Sequence, residues 1–441
     1  MSFDPKKQPQ KVDDNWLSLA LIHKIEPCNL FHCDAGTYLF ANSWKLLDAI
    51  DLKNRVRSEI ASLNDDRAAL NLGAFSISAG RVGSVTELLQ MQIHRTDLRF
   101  NLGQPDTVGC ANGDVVLRDG EWHLQEPKRD HYRLCRIPHE YDPQAQAPRF
   151  QAYLDEVFEP DDDRAEKIEF LLQMVGYALM THCRHERFLI LVGEGANGKS
   201  VALRVIEELV GPQNRAAVHP KLFSHSNHRA QLNQRLVNIV SEGEQGGKLP
   251  AAELKALVSG ETMTVDRKFE HPFEMEPFAT FFWATNHMTH PSDYSDAIFR
   301  RAGILTFNRT FQPHERDTRL LDKLRPEMPG IMNMALQAYA RAATQGFTEP
   351  RSSRVAKDDW RLQSDAVVQW LAECEMAEGA YLGVKPCYDA FCSWSASVGL
   401  SQTPTLKTFS QRVERQGIEK RRMAQGVVFM GLKTAPAQER G

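Results

Sequence analysis

The stretch that decides the fold runs from residue 188 to residue 210 and reads FLILVGEGANGKSVALRVIEELV. Its first residues are apolar and predict a buried strand, and residues 200–210 predict a helix that Gly211 and Pro212 end. Between them, residues 193–200 match the phosphate-binding P-loop pattern in the strand–loop–helix setting that this pattern requires. We therefore predict an α/β fold built around a nucleoside triphosphate site.

Each part of the loop has a chemical role in such a site. The glycines allow backbone N–H groups to curl around the β-phosphate, Lys199 brings a point charge to the β- and γ-oxygens, and Ser200 offers a hydroxyl to Mg²⁺. The helix N-terminus adds its dipole. The residues predicted to bind the triphosphate are Gly193, Gly195, Ala196, Asn197, Gly198, Lys199, Ser200 and Val201.

Two later apolar runs end in polar residues. The run 236–240 reads as a buried strand followed by Glu242, and Asn286 closes FATFFWATN at 278–286. Ligands of open α/β sheets sit at the carboxyl ends of strands. We predict that Glu242, on a strand neighbouring the P-loop strand, helps to hold magnesium and polarises the attacking water. Asn286 is predicted to position that water beside the γ-phosphate.

Two adjacent arginines, Arg300 and Arg301, stand before another apolar strand. A guanidinium that reaches the γ-phosphate of a neighbouring subunit would neutralise charge in the transition state. The alternative is an ordinary pair of solvated surface arginines. Spacing alone does not decide which of the two arginines would act in trans.

These motifs occur in a characteristic order. The P-loop is followed by NIVSEGE at 238–244, a hairpin-like segment at 261–275, FFWATN at 281–286 and DAIFRRAGILTF at 296–307. This series resembles the superfamily 3 helicases, specifically the helicase half of phage and plasmid primase-helicases, over roughly residues 100 to 435. The resemblance implies an AAA+-type core in a ring, predicted to be a hexamer, with ATP and Mg²⁺ between subunits and single-stranded DNA in the pore.

The segment 261–275 alternates like two strands around a charged turn. The resemblance implies a pore hairpin here, with Arg267 and Lys268 at its tip facing the DNA backbone. An ordinary exposed turn is the alternative.

The C-terminal segment combines a predicted helix with a predicted basic hairpin. Leu406, Phe409 and Val413 fall on one face of that helix. The segment resembles the winged helix of the same family, which implies contacts with duplex phosphates; a solvated basic face is the alternative. The residues predicted to make these contacts are Lys407, Lys420, Arg421 and Arg422.

The chain of 441 residues is long enough for several domains. We predict an accessory domain of α+β or helical fold at 1–150, the ATPase domain at 151–348 and the winged helix at 349–441, with the acidic run 161–163 as a solvated linker. A net charge of -4 argues against a globally basic nucleic-acid coat and leaves room for local basic patches. The apolar runs are too short to span a membrane, and no signal peptide is evident, so a cytoplasmic location in a bacterial host is expected.

The function predicted from these observations is an ATP-dependent DNA helicase of a phage or plasmid-like replicon, acting on single-stranded and forked DNA. Two alternatives remain: an ATP-regulated replication initiator without motor activity, and an unrelated P-loop kinase. The chain has no Asn-Lys-x-Asp or Thr-Lys-x-Asp string, which argues against a GTPase. Primer synthesis is not predicted from the first 100 residues, so a separate primase or polymerase is an expected partner.

Overall fold

The N-terminal part of the chain folds into helices over a small antiparallel sheet. The computed structural model describes residues 12–25, 29–33, 35–101, 103–104, 106–241, 249–268, 271–286, 288, 296–398 and 403–434. The first elements are α1 (Asp14–Lys24), β1 (Leu30–Cys33), β2 (Gly36–Phe40), β3 (Trp44–Leu47), α2 (Ala49–Ala69) and α3 (Ala79–Gln92). Each helix follows a side chain that accepts a backbone N–H, namely Asp13, Asp48 or Ser78, which explains where it begins. Their apolar faces meet in one cluster that contains Leu17 and Ile60.

A second antiparallel sheet packs against the middle of the chain. It consists of β4 (Thr107–Cys110), β5 (Gly113–Arg118) and β6 (Glu121–Gln125), and α4 (Pro148–Val157) follows it. The Trp122 indole of β6 donates to the carbonyl oxygen of Leu336 at 2.8 Å. Buried Val108 and Phe150 lie in a hydrophobic cluster that also contains Leu172. This sheet and α4 therefore share their core with the elements that follow.

The middle of the chain is built on a parallel sheet. Its elements are α5 (Arg164–Tyr177), β7 (Phe188–Val192), α6 (Lys199–Val210), β8 (Arg215–Ala216), α7 (Ser226–Arg229), β9 (Val237–Val240), α8 (Ala251–Val258), β10 (Met263–Val265), β11 (Phe273–Met275), β12 (Thr280–Thr285), α9 (Asp296–Arg301), β13 (Ala302–Thr306), α10 (Leu320–Leu324) and α11 (Met328–Gln345). Within the described residues, five strands pair in parallel in the order β13-β7-β12-β9-β8. Leu189 and Leu191 of β7 face one buried cluster, while Phe188 and Ile190 face another. The sheet is therefore covered on both faces, and the predicted α/β class is confirmed.

The acidic run at 161–163 is not the solvated linker that the sequence predicts. A carboxylate oxygen of Asp161 lies 2.8 Å from Nζ of Lys167, whose side chain is fully buried. The same ammonium donates to Thr306 O at 2.9 Å and to Thr306 Oγ1 at 2.8 Å. Asp163 is also buried and accepts the N–H of Ser352 at 2.7 Å. Because a buried ammonium is costly unless it is paired, Asp161 supplies the counter-charge for Lys167.

The C-terminal elements begin with a helix that packs on the parallel sheet. They are α12 (Arg351–Ser364), α13 (Ala366–Ala372), β14 (Glu375–Gly383), α14 (Val384–Ser397), α15 (Leu406–Arg415), β15 (Lys420–Met423) and β16 (Gly426–Thr434). In α12, the Trp360 ring lies 4.9 Å from the ring of Phe299. The elements after α12 surround their own cluster, which contains Trp370 and Phe391, and their strands form an antiparallel sheet in the order β14-β16-β15.

The helix and hairpin predicted at the C-terminus are both present, as α15 and as the pair β15-β16. Phe409 and Val413 are fully buried, as their shared face predicts. Leu406, predicted to share that face, is 37% exposed because it lies at the first turn of the helix, at the rim of the cluster.

The division into three domains at residues 150 and 348 remains a prediction. Helix α4 contains residue 150, and α12 contacts the parallel sheet from beyond residue 348, since Oγ of Ser353 accepts the N–H of Ile304 in β13 at 3.2 Å. Among the described residues, none of the helices combines the length and the apolar character that crossing a bilayer requires.

Candidate functional site

The P-loop connects β7 to α6 with a backbone that depends on glycine. Gly198 has φ 95°, and a Cβ at this position would meet Cγ2 of Val157 at 2.8 Å. A Cβ on Gly193 would meet the carbonyl oxygen of Phe307 and Nδ2 of Asn197, each at 2.5 Å. Larger residues are therefore excluded at both positions by neighbouring atoms and, at Gly198, also by the left-handed backbone. The loop passes close to the ends of α4 and β13.

Lys199 is the first residue of α6 and its side chain turns back into the loop. Its Nζ donates to the carbonyl oxygen of Gly193, to that of Glu194 at 2.8 Å and to Oδ1 of Asn197 at 3.2 Å. Only 6% of the residue is exposed, and this burial lowers the pKa of the ammonium. Nδ2 of Asn197 donates in turn to the carbonyl oxygen of Phe307 at 3.3 Å, which ties the loop to the end of β13.

The two strands that precede the predicted polar residues Asn286 and Glu242 occupy different places in the sheet relative to β7. Strand β12 pairs directly with β7 and ends next to Asn286, whose side chain is exposed. The backbone N–H of Gly193 donates to the carbonyl oxygen of Thr285 at 3.3 Å, so the loop and the end of β12 touch. Strand β9, which precedes Glu242, lies beyond β12. The prediction that β9 neighbours the P-loop strand is therefore wrong, because β12 from later in the chain inserts between them.

Of the two predicted magnesium ligands, the structure describes Ser200. Glu242 lies outside the described residues. Ser200 is exposed and lines a pocket beside the loop. Within the described ranges, no cluster of three or more His, Cys, Asp or Glu side chains is arranged to hold a metal ion.

A pocket of about 240 Å³ opens beside the P-loop. It is bounded by residues of the loop and of α4, and by the segment 311–320. The hydroxyl of Tyr153 on α4 donates to the carbonyl oxygen of Gly198 at 3.0 Å, and the N–H of Phe311 donates to the carbonyl oxygen of Ala196 at 2.8 Å. These two contacts hold the loop from both sides. Sequence reasoning missed them, because Tyr153 and Phe311 lie far from the motif and carry no motif of their own.

The two adjacent arginines have opposite environments. Arg301 is buried: it donates to Ala297 O at 2.9 Å and to Oγ of Ser259 at 3.0 Å, and it forms an ion pair with Glu186 at 2.6 Å. Arg300, on the same short helix α9, is exposed. The structure therefore separates two residues that the sequence left equivalent, since Arg301 is engaged within its own chain.

The predicted hairpin is present between α8 and β12. Strands β10 and β11 pair antiparallel, with Met263 opposite Met275. The guanidinium of Arg267 lies 4.9 Å from the centre of the Phe273 ring, and Lys268 is exposed. Both residues line a large cleft.

The predicted basic residues of the C-terminal unit divide into two groups. Lys407 on α15 and Arg422 on β15 are exposed. Lys420 donates to Oγ of Ser410 at 2.7 Å and pairs with Glu414 at 3.1 Å, while Arg421 pairs with Glu419 at 2.9 Å. Lys420 and Arg421 therefore already have acidic partners in this chain, which the sequence pattern did not indicate.

Two family models match separate parts of the chain. Residues 30–159 match a family described as D5 N terminal like. Residues 191–301 match a family of unknown function (DUF5906), and this range contains the P-loop, the hairpin and both arginines. Each match covers less than half of the chain.

Similar proteins are found by sequence and by fold. A protein of Acanthamoeba polyphaga mimivirus that is named a helicase is 20% identical over 229 residues, which are 46% of this chain and 24% of that protein. The matched part thus spans about a quarter of this viral relative. The A form of the apo C-terminal region of NrS-1 has a TM-score of 0.52 at 11% identity, over 97% of this chain and 100% of that one. At this identity the likeness shows a common fold.

Proposed function

We propose that this chain is an ATP-dependent DNA helicase of superfamily 3, which works as a hexameric ring of AAA+-type subunits in the replication of a phage or plasmid-like replicon. The observation that carries the proposal is the arrangement around β7. The P-loop follows β7, Asn286 follows β12 on one side, and Arg300 precedes β13 on the other. The helicase-named viral relative and the D5 N terminal like match support this proposal over an unrelated P-loop kinase.

The contacts of Lys199 within the loop indicate where the triphosphate would bind. Lys199 is held by oxygen atoms of Gly193, Glu194 and Asn197, and phosphate oxygens would take the place of these acceptors. Ser200 and Glu242 would hold Mg²⁺, which neutralises phosphate charge when it is bound. The pocket of about 240 Å³ next to Ser200 would receive the nucleoside.

Arg300 is the proposed arginine in trans. It is exposed on α9, whereas Arg301 anchors that helix to Glu186 and Ser259. Because Arg301 fixes the helix and Arg300 is exposed on it, the guanidinium of Arg300 lies where an adjacent subunit can reach it. Charge neutralisation by such an arginine accelerates phosphoryl transfer strongly.

Two surfaces would contact DNA in this proposal. The hairpin tip with Arg267 and Lys268 would face a single strand in the ring. The C-terminal unit, with the order α13-β14-α14-α15-β15-β16, would act as a winged helix on duplex DNA. Lys407 and Arg422 are its exposed basic residues, and Lys420 and Arg421 would have to exchange their acidic partners for phosphates.

The experiment that tests the proposal measures ATP hydrolysis with and without single-stranded DNA, together with unwinding of a forked substrate. We expect DNA to stimulate hydrolysis and the fork to be unwound. In the Lys268→Ala variant we expect hydrolysis to continue while unwinding falls. If the wild-type protein binds ATP but shows neither stimulation nor unwinding, the motor hypothesis is wrong and an ATP-regulated initiator is the function that remains.

A further inference from the structure

A basic cleft of about 830 Å³ lies beside the edge strand of the parallel sheet. We use the term basic cleft for the space lined by Arg215, His228, Gln231, Arg235, Arg267 and Lys268, among others. The described residues that line it include four arginines or lysines and no carboxylate. The whole chain has a net charge of -4, so this concentration of cationic groups is local. Such a cleft focuses a positive potential that attracts anions.

The walls of the cleft come from separate elements. Arg215 begins the edge strand β8, and Arg235 lies just before β9, which pairs with β8 in parallel. Arg215 pairs with Val237 of β9, two residues after Arg235, so both arginines lie at the same end of these two strands. Gln231 belongs to the turn between α7 and β9, and the hairpin tip contributes Arg267 and Lys268 to the lining.

Backbone and side-chain contacts hold these walls in place. Arg235 donates to the carbonyl oxygen of Gln213, and the N–H of Leu236 donates to Asn214 O at 2.8 Å. Arg229 donates to the carbonyl oxygen of Phe223 at 2.6 Å, which closes the turn that carries Gln231. The part of the lining next to β8 and β9 is therefore ordered, and binding there does not first have to order a flexible loop.

The chemistry of the cleft indicates what it binds. Its described polar groups are mostly N–H donors, and its volume of about 830 Å³ is more than three times that of the pocket beside the P-loop. Phosphodiester oxygens accept hydrogen bonds and carry one negative charge per nucleotide. Cationic N–H donors spaced along a groove can therefore each bind one phosphate of the chain. A carboxylate-free groove of this kind favours the backbone over base edges, and so gives binding without sequence preference.

We propose that the basic cleft holds the sugar-phosphate backbone of single-stranded DNA, with Arg215, Arg235 and Gln231 as contacts in addition to Arg267 and Lys268 of the hairpin tip. This inference rests on the proposed helicase function and adds contacts outside the hairpin. The DNA would contact both the hairpin tip and the residues on β8 and next to β9, so a movement of the hairpin would displace the DNA relative to Arg215 and Arg235. Arg215 keeps its place through its ion pair with Glu207 at 3.0 Å.

The test uses the full chain and a fluorescein-labelled oligo(dT), whose anisotropy is measured over a range of salt concentrations. Gln231→Glu puts a negative charge into the cleft at an exposed position, and Arg215→Gln removes a positive one. We expect each variant to bind about tenfold more weakly, and Arg215→Gln to lower the slope of log affinity against log salt by about one. Gln337→Glu, the same substitution on the exposed side of α11, is the matched control and should bind as the wild type does.

The outcomes separate this inference from the proposed function. If wild-type hydrolysis is stimulated by DNA but both cleft variants bind oligo(dT) with wild-type affinity and salt dependence, the cleft proposal is wrong and the helicase proposal stands. If the cleft variants bind weakly while the wild type shows neither stimulation nor unwinding, the cleft stands and the motor is wrong. A wild type that does not bind oligo(dT) overturns the cleft directly. Thermal unfolding of each variant shows that a loss of binding is not a loss of fold.

Discussion

At the scale of single residues, Lys199 shows how the P-loop keeps its shape. Its ammonium is buried and bonded to three oxygen atoms of the loop itself. A buried cation with these partners is stable without a ligand, and the same donors can turn to phosphate oxygens without further burial. The residue proposed to act on the triphosphate therefore also organises the loop that receives it.

Replacing Lys199 by alanine tests both roles. We expect Lys199→Ala to lower ATP turnover by about 100-fold or more, because the positive charge at the β- and γ-oxygens is lost. The far-UV circular dichroism should stay as in the wild type, since the core around β7 is untouched. Lys385→Ala, which removes an exposed lysine from α14, is the control and should keep full turnover. Turnover retained in Lys199→Ala would contradict the P-loop assignment.

The role of a residue could be predicted from the sequence where it depends on residues close to it in the chain. The P-loop residues act within eight positions of one another, so their pattern could be recognised directly. Arg300 and Arg301 could not be distinguished, because the burial of Arg301 depends on Glu186 and Ser259, far away in the chain. The counter-charge for Lys167 was missed for a related reason: its burial depends on the packing of α5 against β13, which no local pattern reveals.

At the scale of elements, α5 and α11 cross at a glycine. A Cβ on Gly176 would meet Cβ of Tyr339 at 2.6 Å and would also overlap the carbonyl oxygen of Ala335. Both helices contribute to the main hydrophobic cluster, which includes Phe170 and Ile331. The close approach of the two backbones is therefore possible only without a side chain at this position.

The variant Gly176→Ala is expected to destabilise the chain by about 1–3 kcal/mol, because the helices must move apart to admit a methyl group. Chemical denaturation monitored by circular dichroism measures this change. In Gly83→Ala, on α3, the added methyl group meets no atom within 4 Å, so its free energy of unfolding should stay equal or rise slightly. Equal free energies of unfolding for the two variants would show that α5 and α11 leave room for a methyl group at residue 176.

A polar junction links the second antiparallel sheet to α11. Asp106 accepts hydrogen bonds from Nε2 of His182 at 3.0 Å, from the hydroxyl of Tyr339 at 3.0 Å and from Arg184. Beside it, burial together with the charges of His182 and Arg184 lowers the pKa of His185 from 6.5 to about 4. The folded protein thus keeps His185 neutral where the unfolded chain would protonate it.

This junction predicts how stability depends on pH. Between pH 6.5 and about pH 4 the unfolded state binds a proton at His185 that the folded state does not bind, so the free energy of unfolding should fall as the pH is lowered through this window. Below about pH 4 both states are protonated and the contribution of His185 no longer changes. His185→Gln should show a smaller decrease over the same window, whereas His123→Gln on the exposed strand β6 should follow the wild type. An unchanged pH dependence in His185→Gln would contradict the assignment.

At the scale of the whole molecule, the order of strands in the sheet decides which motifs meet. The apolar runs predicted the individual strands, because each run is local in sequence. Their order could not be predicted: β12 lies between β7 and β9 although β9 comes first along the chain. This order brings Asn286 next to the P-loop and places the start of β13, with Arg300, on the other flank. Because β13 pairs in parallel with β7, with Ala302 opposite Phe188, Arg300 lies toward the amino end of β7 and the P-loop follows its carboxyl end, as the proposed site shared between subunits requires.

The shared site can be tested by mixing two inactive proteins. Lys199→Ala lacks the P-loop charge but keeps Arg300, and Arg300→Ala keeps the P-loop but lacks the proposed arginine. In a ring assembled at random from equal amounts, about one quarter of the interfaces combine an intact P-loop with an intact arginine, so about one quarter of wild-type hydrolysis should return. Mixing Lys199→Ala with the double variant Lys199→Ala/Arg300→Ala should restore nothing. If differently labelled subunits are shown to share rings and yet no activity returns, the site does not lie between subunits, and the ring would have to use ATP in another way.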